Sequence, residues 1–208
     1  NDSKDGKSVY YHSNSRKKER EESWKRNLEN GLWVWWNEDG KKNQEGNYRS
    51  GQQHGTWINY NEKGRKIEES QWKNGELFGK TTLWDKNGNK TILKSFKEDE
   101  KDGLWIWWSP NGKKVKEGNF KLGDKNGKWT YYHANGKKKR LENYKLGKKN
   151  GKLIVWFENG QKEREESYKN DEKHGKWTYW FENGRLDKEE KYTNGVQTDG
   201  KHYDYFDN

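Results

Sequence analysis

Over residues 127–160 the chain reads GKWTYYHANGKKKRLENYKLGKKNGKLIVWFENG, and its apolar positions come in short bursts that never settle into a 3.6-residue period. Helix is therefore not expected. Trp129, Thr130, Tyr131 and Tyr132 are aromatic or β-branched, which suits a strand. Asn135-Gly136 can supply positive φ and predicts a tight two-residue hairpin turn. KRLENY is the return strand, and KLGKKN, with Gly147, forms a second turn before Gly151.

The same unit recurs along the chain. Gly6, Gly31, Gly55, Gly79, Gly103, Gly127, Gly151, Gly175 and Gly200 each precede an aromatic strand, and from Gly31 to Gly175 they recur every 24 residues. The first and last intervals are 25 residues. A lone hairpin is marginal, but stacked hairpins that each touch their neighbours can share a core. The expected fold is all-β: an elongated, single-layer antiparallel meander of about eight hairpin repeats and a final half-repeat. About seventeen strands at roughly 4.8 Å spacing would span on the order of 80 Å. The organisation expected is one array over 1–208, with a degenerate first repeat (1–30), regular repeats (31–199) and a half-repeat cap (200–208), leaving nothing for a second domain. In the first unit Ser15 stands for the turn glycine and Ser8 for the Trp; in the last, Asp204 and Asp207 would keep an edge strand soluble.

Two ring columns survive alignment on the glycines. Five residues on stand Tyr11, Trp36, Tyr60, Trp84, Trp108, Tyr132, Trp156, Trp180 and Tyr205; on the return strands stand Trp24, Tyr48, Trp72, Phe96, Phe120, Tyr144, Tyr168 and Tyr192. A two-residue Asn-Gly turn puts Tyr144 opposite Gly127, so that a ring covers a glycine, and the other units follow. These columns are read as the ladders joining neighbouring hairpins. A third row, two and four residues after the glycine, is less regular: Trp33/Trp35, Trp57/Asn59, Thr81/Leu83, Trp105/Trp107, Trp129/Tyr131, Leu153/Val155 and Trp177/Tyr179. GLWVWW and GLWIWW begin 72 residues apart, three repeats, and the units headed by Gly79 and Gly151, which lack the first Trp, share that spacing. In those two units Asp99 and Asp171 replace the turn glycine. A triplet of repeats has been duplicated. Because Thr81 and Leu153 fill the variable row elsewhere, Trp33, Trp35, Trp105 and Trp107 are the candidate partner- or glycan-binding rings; the alternative is that they pack beneath lysine stems.

Composition alone points elsewhere. The chain is 38% charged and only 26% hydrophobic, carries a formal net charge of +10, and has a mean hydropathy of −1.74, values typical of disorder. Against this, 15% of residues are aromatic and there is a single proline, Pro110. Rings that bury roughly 150–250 Å² each can supply a core from few residues. Cysteine and methionine are both absent. A chain beginning at Asn1 with no Met is expected to be processed, with a removed signal peptide and an extracytoplasmic location (periplasmic, cell-surface or secreted).

No catalytic group, metal site or cofactor is expected. The histidines His12, His54, His133, His174 and His202 lack metal-ligand spacing. Carboxylate pairs such as Glu165-Glu166 and Glu189-Glu190 recur with the repeat, which suggests solvated strand faces rather than one acid/base pair. Lysines occur in every turn with Glu among them, not as an unbroken basic stripe, so nucleic acid is disfavoured. The expected function is a non-enzymatic binding scaffold for a protein partner, with an anionic membrane surface, or a glycan or single-stranded nucleic acid on the aromatic rows, as alternatives.

The 127–160 stretch resembles the bacterial variant of the MORN repeat, and the resemblance covers nearly the whole chain. It implies an elongated, twisted sheet of hairpins that serves as a binding scaffold in a bacterial assembly; such variants are often described as antitoxin-like. The eukaryotic MORN repeat has Gly-x-Gly where this chain has Gly127-Lys128-Trp129, which weakens any transfer of membrane-lipid binding.

Overall fold

A computed structural model describes residues 3–203; the proposed cap residues Asp204 and Asp207, and Tyr205, lie outside them. Every element among the described residues is a β-strand, and every strand pairing is antiparallel. The chain divides into two compact units, one ending at Lys101 and the other beginning at Asp102.

The first unit is a meander of four hairpins: Gly6–Tyr11 with Lys18–Lys25, Gly31–Trp36 with Lys42–Arg49, Gln52–Tyr60 with Lys66–Lys73, and Gly79–Trp84 with Lys90–Lys97. The first three return strands also pair with the next hairpin, as in Arg20↔Trp35 and Glu68↔Leu83. The second unit repeats the plan with Gly103–Trp108 and Lys114–Lys121, Asp124–Tyr132 and Lys138–Lys145, Gly151–Trp156 and Lys162–Lys169, and Gly175–Trp180 and Leu186–Thr193. It closes with the exposed strand Val196–His202. There Gly200 pairs with Glu190 and takes the place of a core ring two residues into the strand, so it does not act as a ninth strand-heading glycine.

The expected register holds: Gly127 pairs with Tyr144, and Gly6, Gly31, Gly55, Gly79, Gly103, Gly151 and Gly175 all pair with their return-strand rings. The turn that sets it differs from expectation. In HANGK the amide of Gly136 donates to the carbonyl of His133, the amide of His133 donates to Lys137, and only Gly136 has positive φ. This is a three-residue loop, not a two-residue turn. Its extra residue would flip every later side chain to the other face. A bulge at Lys139 adds a second extra residue, between the Tyr132–Lys138 and Tyr131–Arg140 pairs, and restores the alternation. The bulge recurs in every hairpin. The first loop is one residue longer, and Arg16 (φ 55°), not Ser15, takes the left-handed position, which accounts for the first 25-residue interval.

The two-residue turns with positive φ at both positions join one repeat to the next: Ser50-Gly51, Asn74-Gly75, Leu146-Gly147 and Asn170-Asp171 among them. Where the second residue is not glycine, its side chain compensates for the left-handed backbone. Asn27, Asp99 and Asp171 accept hydrogen bonds from the amides of Lys4 (2.5 Å), Leu77 (2.7 Å) and Lys149 (2.7 Å) in the preceding repeat.

The ring of Tyr144 does not cover Gly127, contrary to expectation. A Cβ there would meet nothing within 4 Å; the demand on Gly127 is its φ of +72°. Gly127→Val should cost about 1–2 kcal/mol through backbone strain, and Gly127→Asn, which tolerates this region, should lose much less. Urea midpoints of the two variants check this, and equal losses would restore a steric cause.

Candidate partner-binding face

Strand alternation sorts the side chains onto two faces. The first carries the ring rows. Trp33 contacts Trp24 (5.2 Å between ring centroids), Trp35 (5.6 Å) and Tyr48 (5.2 Å), while Tyr48 and Trp35 reach Trp57 at 5.0 and 5.9 Å. Three repeats on, Trp107 lies 5.6 Å from Trp105 and 5.9 Å from Trp129, and Phe120 lies 5.1 and 5.0 Å from the same two rings. The duplication read from the sequence is thus repeated in the packing. Between the rings the return strand carries no side chain: a Cβ on Gly46 would stand 2.1 Å from Trp57, and one on Gly118 2.2 Å from Trp129.

The row two residues after each strand-heading glycine is the interior. Trp33, Trp57, Trp105, Trp129 and Trp177 are buried, Trp129 to 2% exposure, and Thr81 and Leu153 fill the row in the weaker units. The indole N–H of Trp33, Trp57, Trp129 and Trp177 donates to the carbonyl of Ser23, Asn47, Asn119 and Ser167 (2.9–3.0 Å), tying each hairpin to the one before. This corrects the surface role considered for Trp33 and Trp105, which are 8% and 7% exposed. Variation in the row reflects alternative ways of filling a core rather than freedom from packing. Trp35 and Trp107 are half-buried, and Trp107 lies under the ammonium of Lys116, 4.3 Å from the ring centroid. These two rings alone of the four keep an accessible part.

The adjacent carboxylates are not solvated pairs, contrary to expectation. Their members point to opposite faces. On the ring face Glu22, Glu142 and Glu166 are buried. Each is bonded by the ring two residues on: Trp24 Nε1 to Glu22 (2.9 Å), Tyr144 Oη to Glu142 (2.9 Å), Tyr168 Oη to Glu166 (2.8 Å). Each also meets an arginine two residues back, Arg20, Arg140 or Arg164, at 2.7–3.3 Å. Glu190 follows the same plan with Lys188 and Tyr192. Burial, reinforced by the neighbouring carboxylates, raises the Tyr144 and Tyr168 phenols well above their ordinary value.

On the second face stand the invariant rings at Trp36, Trp84, Trp108, Trp156 and Trp180, beside buried Val34, Ile106 and Thr178. Five of its lysines are paired across the bulge: Lys18–Glu21, Lys42–Glu45, Lys66–Glu69, Lys114–Glu117 and Lys162–Glu165; Lys176 pairs with Glu189 on the neighbouring strand, and Leu93 and Leu141 stand in the glutamate position opposite Lys90 and Lys138. Lys18, Lys66 and Lys162 also lie over Trp36, Trp84 and Trp180 at 5.4–5.5 Å. The rings of both faces therefore sit under lysine stems, as their alternation requires. Burial and a hydrogen bond to Glu117 push Tyr132 up to about 12, and Tyr60 beside Glu45 shifts likewise to about 12.

Hydrogen bonds from Lys152 (2.5 Å) and Lys162 (2.6 Å) hold Glu165 below the carboxylate value of 4.5. A depressed folded value stabilises the protein above the unfolded pKa, and this contribution is lost as pH falls through the folded one. The melting temperature should hold from neutrality to about pH 4.5 and then fall. Glu165→Gln should lower it at pH 7 by an amount that shrinks in acid. A deficit independent of pH would show that packing, not charge, matters here.

On the ring face of the second unit three lysines form a column. Lys125, Lys149 and Lys173 occupy equivalent positions in successive repeats. Their ammonium groups stand over rings: Lys125 over Trp129 and Tyr144 (4.5 and 4.6 Å), Lys149 over Tyr168 (5.0 Å), and Lys173 over Trp177 and Tyr192 (4.4 and 4.6 Å). None of the three forms an ion pair with a carboxylate among the described residues. The corresponding positions in the first unit are Lys4, which likewise stands over Trp24 at 4.3 Å, then Glu29, Gln53 and Leu77, and Lys101, so only in the second unit do three ring-capping lysines follow one another in successive repeats. Alignment of the lysines on the strand-heading glycines reveals this column, just as it reveals the ring columns. Among the described residues there is no group of three or more His, Asp or Glu side chains that could hold a metal, and no helix long and apolar enough to cross a membrane.

Segments 29–50, 101–122, 125–146, 149–170 and 173–194 match a family model described as MORN repeat variant, and together they take in more than half of the chain. No curated protein matches the sequence.

Proposed function

Because the chain belongs to the MORN repeat variant family, whose repeat is a binding type, we propose that it is a non-enzymatic scaffold for protein–protein interaction. The observation that carries this is the division of labour within each repeat. Indoles, buried carboxylates and inter-repeat turns consume the interior chemistry. The repeats also differ in the charge they present over the ring frame. Such a surface offers one weak contact per repeat, and contacts in series add through effective concentration. Sugar or base stacking is less favoured, since the rings that would stack are buried or lie under cations.

The test is capture of a partner on the immobilised chain, followed by calorimetry between the two purified proteins. A saturable complex supports the proposal. Trp35→Ala/Trp107→Ala then asks whether the half-buried rings join the interface: a variant that melts normally and binds at least tenfold more weakly assigns them to it. One that melts early and binds as the parent does leaves them in the core. Failure to bind any protein, with tight binding to phosphatidylserine vesicles or to an oligosaccharide, would replace the proposal.

A further inference from the structure

The geometry points to the ring face of residues 102–203 as a docking surface for an acidic polypeptide segment, read by the ammonium groups of Lys125, Lys149 and Lys173. This deepens the scaffold proposal and rests on it. On the opposite face Lys114 and Lys162 are neutralised by glutamates across the bulge, and Lys176 by Glu189 on the paired strand. The three on the ring face are not. The cationic faces of their head groups are held against aromatic rings, an attraction that fixes position without cancelling charge. Lys116 over Trp107 adds a fourth such group. The carboxylates on this face, Glu142, Glu166 and Glu190, are already engaged by Arg140, Arg164 and Lys188 and by tyrosine hydroxyls. They do not supply counter-ions to the lysine column, although the Lys173 charge contributes to lowering Glu190.

Spacing and charge select the partner's chemistry. Equivalent positions in successive repeats are two strands apart, or about 10 Å at roughly 4.8 Å per strand. Seven residues of an α-helix, or three of an extended chain, cover the same distance. A peptide with an acidic side chain at that interval can meet each lysine in turn. A nucleic-acid strand carries a phosphate about every 3.4 Å of helix axis. It would bring further phosphates over Glu142 and Glu166. Its bases could not stack on Trp129 or Trp177, which are 2% and 3% exposed, and the half-buried Trp107 lies under Lys116.

The probe is fluorescent polyglutamate, titrated by anisotropy into the full chain at low and high salt, with a thymidine oligonucleotide and phosphatidylserine vesicles in parallel. The expected result is salt-sensitive binding of polyglutamate that weakens about tenfold or more in Lys125→Gln/Lys149→Gln/Lys173→Gln, three charge contacts together. It should change less than twofold in Lys63→Gln/Lys86→Gln/Lys97→Gln, which removes the same charge from the first unit. Arginine at the three column positions should preserve binding, so a loss caused by unfolding is distinguished from a loss of charge. Equal weakening in both triple-glutamine variants would reduce the effect to net charge and overturn the site. So would binding of the oligonucleotide or vesicles, but not polyglutamate, through these lysines. If a captured protein partner binds the lysine variant as it binds the parent, this site falls and the scaffold proposal stands.

Discussion

Gly118→Val should destabilise the second unit by about 3 kcal/mol or more, at the upper end of overpacking effects. The backbone is not the obstacle, since Gly118 lacks positive φ. The obstacle is Trp129, whose Cδ2 would lie 2.2 Å from the new Cβ. The indole cannot retreat without breaking its bond to Asn119 and leaving Phe120 and Trp107. Gly46→Val should do the same in the first unit against Trp57. Urea unfolding of each variant measures the loss, and Gly118→Val/Trp129→Leu should be less destabilised than the two single changes added together. Strict additivity would mean that ring and glycine are not the interacting pair.

Trp129→Ala should cost about 3–5 kcal/mol, the range for a large buried ring removed from a core. It removes the ring contacts to Phe120 and Trp107, the ring beneath Lys125, and the 3.0 Å tie to Asn119. Trp107→Ala, at a half-buried position, should cost clearly less. Because each repeat leans on its neighbours, amide exchange should accelerate first in the hairpins on either side of residue 129. A Trp129→Ala loss no larger than that of Trp107→Ala would contradict the assignment of the interior.

Much of this was legible in the sequence. The 24-residue period fixed the hairpins, and the pairing of Tyr144 with Gly127 came out correctly although the turn beneath it did not. An Asn-Gly pair suits either a two-residue turn or a three-residue loop ending on glycine. The distinction lies in the bulge at Lys139, which no residue type announces. The two extra residues offset each other, so the strand body kept its expected register. The tight inter-repeat turns were hidden because residues such as Leu146 (φ 47°) and Glu98 (φ 53°) occupy left-handed positions that they rarely favour. The binding rings were misjudged for a different reason. The row containing Trp33 and Trp105 varies between Trp, Thr and Leu, which suggests freedom from packing. In three dimensions each variant fills the same buried slot, with glycine at 46 and 118 making room for the largest ring clusters. The glutamate pairs misled similarly, because adjacent residues in a strand face opposite ways and one member of each pair is drawn under the rings.

The most direct test of the lysine column is zero-length carbodiimide coupling of polyglutamate to the full chain, with the joined lysines mapped by peptide mass spectrometry. The carbodiimide activates a glutamate carboxylate, the free amine of a lysine attacks it with loss of the urea, and because no spacer remains the amide marks lysines that lie against the bound peptide. Coupling concentrated at Lys125, Lys149 and Lys173 is the result expected. Coupling spread over turn lysines such as Lys63 and Lys86, with the column unmodified, would contradict the assignment of the ring face of residues 102–203 as the surface that meets an acidic partner.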